Sequence, residues 1–81
     1  MRIRVMLFAV LREAAGAAET ALDLPEQATA AQAAAALLEQ FPTLRPYIPR
    51  VAFAINRSYC RPDSALKDGD ELALIPPVSG G

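Results

Sequence analysis

DGDELALIPPVSGG, residues 68–81, holds a turn, a strand and an ending that can be neither strand nor helix. Asp68-Gly69 is the dipeptide of a tight turn, because glycine accepts the positive φ that such turns demand. Glu71 to Ile75 alternates, placing Leu72 and Leu74 on one face of a strand. Pro76 lacks an amide donor and ends the ladder. Pro76-Pro77 has fixed φ angles, so the chain leaves the sheet as a stiff, extended stem. Beyond it, Val78, Ser79, Gly80 and Gly81 bring almost no side chain. The division expected is a domain over residues 1–75 and a flexible C-terminal Gly-Gly tail over 76–81. Six extended residues reach ~20 Å at about 3.3 Å each, enough to enter a deep, narrow channel in a partner. Glycines pass where a Cβ would clash.

The stretch before it switches period clearly. Residues 2–8, RIRVMLF, alternate with Ile3, Val5 and Leu7 on one face. AVLREAAG supplies a single helical turn stopped by Gly16. Residues 19–24 alternate again, with Thr20, Leu22 and Leu24 together before Pro25, so the first two strands pair as an antiparallel hairpin. Thr29 and Gln32 have capping-box spacing at the head of TAAQAAAALLEQF. Ala30, Ala33, Ala34, Leu37, Leu38 and Phe41 form one stripe, its small residues allowing close approach to a sheet. Pro42, Pro46 and Pro49 keep PTLRPYIPR irregular. Val51, Phe53 and Ile55 make the next inward face, Asn56-Arg57 a turn, and SYC a short edge. One helix across one face of a small mixed sheet satisfies this order. The class is α+β, and with the first and last strands central and parallel it is a β-grasp.

Composition sets the outer limits. At 81 residues the chain makes one domain, near the size below which staples are needed. The single Cys60 forms no internal disulfide, and 53% hydrophobic composition points to apolar packing instead. With net charge −1, pI near 5.2 and no basic run, neither nucleic acid nor an anionic membrane is the expected partner. No stretch approaches the ~20 apolar residues of a membrane span. MRIRVMLFAV alternates like a strand rather than a signal peptide, so a cytoplasmic protein is expected.

The chemistry expected centres on the end of the chain. Two consecutive terminal glycines are roughly a one-in-two-hundred coincidence at ~7% average glycine usage. A terminal glycine leaves its carboxylate unhindered for attack on the α-phosphate of ATP. The resulting acyl adenylate is an electrophile open to sulfur or amine nucleophiles. The chain has no His, so the acid–base groups and the Mg²⁺ site belong to a partner, and no metal site or bound cofactor is assigned. Phe8 and Ile75 fall out of phase with the inward positions and point outward. With Arg12 and Tyr59 nearby they outline an apolar patch beside the exit of the tail, of residue types enriched at binding hot spots. Cys60 has no base beside it and reads as a plain thiol. Asp63, Asp68, Asp70 and Glu71 do not match a calcium loop and read as a solvated, turn-forming stretch able to steer a basic partner. Lys67 is the sole lysine and reads as a solvated turn residue.

Residues 68–81, together with FAVLRE at 8–13, resemble the two signature stretches of the small subunits of molybdopterin synthase, a family of ubiquitin-like sulfur carriers. The resemblance extends to length and element order. It implies a ubiquitin-like β-grasp whose Gly81 is adenylated with ATP by a partner adenylyltransferase and converted to a thiocarboxylate. The tail (Pro76, Pro77, Val78, Ser79, Gly80, Gly81) would then enter the large catalytic subunit. There the sulfur would pass to cyclic pyranopterin monophosphate, forming the dithiolene of molybdopterin. The implied assembly is a heterotetramer of two small and two large subunits, the small one non-catalytic alone. The family's partner surface falls on Phe8, Arg12, Tyr59 and Ile75. Tyr59 and Ile75 replace other large apolar residues often found there, which bears on partner choice. The same activation chemistry would also serve thiamine or tRNA thiolation, or conjugation to protein lysines. An adaptor whose tail does no chemistry is the alternative of a different class.

Overall fold

The computed structural model describes residues 1–77; the part of the expected tail from Val78 to the end lies outside the described residues. The elements are β1 (Arg2–Leu7), α1 (Val10–Ala15), β2 (Glu19–Asp23), α2 (Ala30–Gln40), β3 (Ala52–Ile55), β4 (Ser58–Cys60) and β5 (Glu71–Ile75). The strands form one mixed sheet in the order β2-β1-β5-β3-β4. β1 and β5 run parallel at its centre, with Val5 opposite Leu72 and Leu7 opposite Leu74. The other pairings are antiparallel.

Strand alternation creates the core. Ile3, Val5, Leu7, Leu72 and Leu74 are all essentially inaccessible on the inner face, and Leu22, Leu24 and Phe53 extend that face outward. Burying each such side chain is worth about 1.5–3 kcal/mol. The inner face joins Ala30, Ala33, Ala34 and Leu37 of α2 in one cluster. Leu38 and Phe41 are only partly buried at its margin. The helix starts where the sequence places it. Thr29 Oγ1 accepts the Gln32 N–H at 3.2 Å, and Gln32 Oε1 accepts the Thr29 N–H at 2.8 Å.

The irregular stretch after α2 is more ordered than its prolines suggest. Two 3₁₀ turns, Pro42–Leu44 and Ile48–Arg50, carry it. Proline stands in the first turn of each, where its missing donor costs nothing. Leu44 is fully buried, as are Leu11 on α1 and Leu66 before the last turn. None of the three belongs to a periodic segment, so no pattern announces them. Cys60 is half-buried and packs against the core.

Two turns aim the strands. Asn56 (φ 50°) and Arg57 (φ 72°) join β3 to β4 as a two-residue hairpin loop. The Lys67–Asp70 turn closes through Asp70 N–H to the Lys67 carbonyl at 3.0 Å, with Gly69 at φ 85°. Asp68 Oδ1 accepts the Arg2 N–H at 2.8 Å and Asp70 Oδ2 the Lys67 N–H at 2.8 Å. These two carboxylates are thus committed to turn and strand register.

Candidate functional site

The outer face of the sheet divides along its strands. On β1 the outward residues are Arg2, Arg4 and Met6, followed by Phe8, so charge gives way to hydrophobe along a single strand. Glu71, Ala73 and Ile75 repeat the change on β5. The charged end is tied by ion pairs. Arg2 Nε and Nη2 meet Asp23 at 2.8 and 3.0 Å, and Arg4 Nη2 meets Glu71 at 3.2 Å. The hydrogen bond from Arg2, and then its charge, hold the Asp23 carboxyl below the usual carboxylate range, while Arg2 is raised in turn. Both side chains are largely exposed, so the pair orders side chains more than it stabilises the fold.

The apolar end is concave. Ala54 faces Ala73 across β3 and β5, and methyl side chains there leave a hollow of about 490 Å³. Met6, Phe8, Tyr59 and Ile75 stand around it, with Arg57 and Glu71 at the polar rim. Phe8 and Tyr59 are 44% and 76% exposed, the large hydrophobics left open among the described residues. A contiguous apolar patch of this kind marks an interaction site more often than an accident of composition. Because Leu7 pairs with Leu74, Phe8 and Ile75 sit at the same end of the sheet, and there the chain passes into Pro76-Pro77.

A second hollow, of about 360 Å³, is lined by Val10, Pro46, Tyr47, Arg50, Pro76 and Pro77. The proline stem therefore lies beside the second 3₁₀ turn, which gives it a side wall on leaving β5.

Phe8, Tyr59 and Ile75 come together as the alternation implies. Arg12 does not: it is exposed on α1 and is not among the residues lining the hollow. Pro76 and Pro77 leave at the apolar end; Val78, Ser79, Gly80 and Gly81 lie outside the described residues. Met6 and Ala73 were readable from the same alternation. Ala54 is outward by the same alternation, but that it meets Ala73, and that Arg57 reaches this face, depends on the pairing of β3 with β4 and β5. Among the described residues no group of three or more metal-ligating side chains converges, and no helix is long and apolar enough to cross a membrane.

A parallel β1–β5 centre, flanking antiparallel strands and one long helix on the inner face define a ubiquitin-like β-grasp protein. The same architecture is found in SAMP1, a small archaeal modifier protein of Haloferax volcanii, with a TM-score of 0.89, 34% identity and full coverage of both chains. The chain belongs to the ThiS family, which matches residues 5–81. It is 42% identical to the molybdopterin synthase sulfur carrier subunit of Chlamydomonas reinhardtii, covering 100% of each chain. It also resembles a chain in the complex of subunits 1 and 2 of the molybdopterin-converting factor of Helicobacter pylori, with a TM-score of 0.69, 26% identity and full coverage of both. The likeness drawn from two short stretches thus runs along the whole chain.

Proposed function

We propose that this protein is the sulfur carrier subunit of a molybdopterin synthase. The observation that carries the proposal is its full-length likeness to the Chlamydomonas carrier. An apolar hollow that runs along the outer face to the sheet end from which the stem emerges is the geometry a docked carrier needs. In the proposed cycle a carboxylate oxygen of Gly81 attacks the α-phosphorus of ATP in the active site of an adenylyltransferase, and pyrophosphate leaves. Hydrosulfide delivered by the sulfur donor adds to the acyl carbon and AMP departs, leaving a thiocarboxylate. The large subunit then accepts the tail; sulfur replaces a carbon-bound oxygen of cyclic pyranopterin monophosphate while oxygen from water restores the Gly81 carboxylate, and two loaded carriers complete one dithiolene. The complex is a heterotetramer of two small and two large subunits in the cytoplasm. The body contributes docking and delivery; lacking His, it leaves proton transfers to its partners and is not catalytic alone.

Intact mass spectrometry after incubation with the activating enzyme, ATP and a sulfur donor tests this. A gain of about 16 Da, one oxygen exchanged for sulfur at the acyl carbon, is expected. Its absence, or full pterin conversion by a chain lacking Gly81, would refute the proposal. The likeness to SAMP1 favours a second reading, conjugation of Gly81 to lysines of other proteins. That reading predicts adducts that add close to the 8.6 kDa of this chain. Thiamine or tRNA thiolation would show the same thiocarboxylate without pterin conversion.

A further inference from the structure

Asn56 and Arg57 both adopt left-handed backbone conformations, φ 50° and 72°. Side chains with a Cβ resist this region, and the second place of such a hairpin loop favours glycine. Asn56 has a local reason to be there. Its side chain accepts the Glu71 N–H at 3.0 Å and donates to Asp70 Oδ1 at 3.0 Å, locking the hairpin to the start of β5. Arg57 has none. Among the described residues its ion-pair partner is Glu71 Oε2 at 3.8 Å, beyond hydrogen-bond range, and Arg4 already holds the other oxygen of Glu71 at 3.2 Å. The Arg57 side chain is 87% exposed, yet it stands on the rim of the hollow bounded by Phe8, Tyr59 and Ile75. The hairpin needs a positive φ at this place, but glycine would supply it with less strain. An arginine here therefore serves something other than the turn, as strained backbone at binding positions does.

We infer that Arg57 is a partner-binding residue whose guanidinium grips a carboxylate on the protein that seats on the hollow. A planar fork with five donors suits a carboxylate in two-point contact. The surface recognised on the partner then has an apolar side chain for the Ala54–Ala73 floor and an acidic one on the Arg57 side. This rests on the docking of the large subunit proposed above.

Calorimetric titration of the large subunit with full-length variants tests it. Arg57→Gly relieves the strain and should raise the melting temperature by a few degrees. It should also weaken binding roughly tenfold, since a buried arginine contact ranks among hot spots, and flatten the salt dependence of the affinity. Arg57→Lys keeps charge without the fork and should fall between. Gln27→Gly removes the same kind of strain (φ 66°) in the β2–α2 connection, away from the hollow; it should raise the melting temperature and leave affinity unchanged. If Arg57→Gly binds like wild type while Phe8→Ala binds weakly, the assignment of Arg57 is overturned and the docking face survives. If the wild-type chain fails to bind the large subunit, the functional reading falls and takes this one with it.

Discussion

Ala9 carries the sharpest local conflict between sequence and backbone. It has φ 50° and ψ −123°, and the Leu11 N–H reaches back to the Phe8 carbonyl at 3.0 Å. That is the first central position of a type II′ turn, where glycine is the usual occupant. A methyl group there costs about 1–3 kcal/mol, against about 0.5–1 kcal/mol for the extra freedom glycine has in the unfolded chain. Ala9→Gly should therefore stabilise the protein by about 1 kcal/mol, a rise of about 4–8 °C in melting temperature for a domain of this size. Calorimetry decides it, and a lower melting temperature would show that the methyl makes a compensating contact. The AVLREAAG stretch was legible as a turn of helix, but its entry conformation was not. Nothing in an alanine announces positive φ; only the tight passage from β1 into α1 imposes it.

At the scale of elements, α2 shows how far a local signal reaches. Its capping box could be read from the spacing of Thr29 and Gln32, and both bonds form. The structure adds two caps from far along the chain. The Ala30 N–H donates to the Ser64 carbonyl at 3.0 Å and the Ala31 N–H to the Pro62 carbonyl at 2.8 Å. The helix start is thus held by its own side chains and by the loop before β5. We predict that Thr29→Ala costs about 1 kcal/mol in chemical denaturation. The loop caps should keep the helix intact in circular dichroism. Leu44, fully buried in a 3₁₀ turn, is a different case. The Thr43 hydroxyl donates to the Ala14 carbonyl at 2.6 Å, so this segment is held against α1 by contacts 29 residues apart. Such an anchor has no periodic trace. Leu44→Ala should cost about 2–5 kcal/mol, the ordinary range for emptying a packed leucine site, and a loss below 1 kcal/mol would mean that the segment is dispensable.

For the molecule as a whole, the separation of the two faces matters most. One face of the sheet is sealed by α2, and the other is charged at one end and apolar at the end where the stem departs. A partner seated on the hollow would have the stem beside it, so docking and tail delivery are coupled by geometry. Phe8 and Ile75 face outward, so changing them should spare the core. Phe8→Ala and Ile75→Asp should each weaken binding to the large subunit at least tenfold, about 1.4 kcal/mol, with melting temperatures within a few degrees of wild type. Unchanged affinity in a titration would remove the hollow from the docking surface. Arg12→Ala offers a contrast: exposed and outside the hollow, it should matter less than Phe8.

The strands, the main helix and the outward phase of Phe8 and Ile75 follow from the sequence by itself, because period and capping are local properties that a few neighbouring residues settle. Central, parallel first and last strands came with the β-grasp reading, and the pairing of β1 with β5 matches it. The tertiary structure alone decided that Ala54 and Ala73 meet to floor a hollow, that Arg57 stands at its rim while Arg12 lies outside, and that Leu11, Leu44 and Leu66 complete the core. Each of those depends on which strands lie side by side or on a turn packed against a distant element. Contacts of that kind join residues far apart in the chain, and no local pattern encodes them.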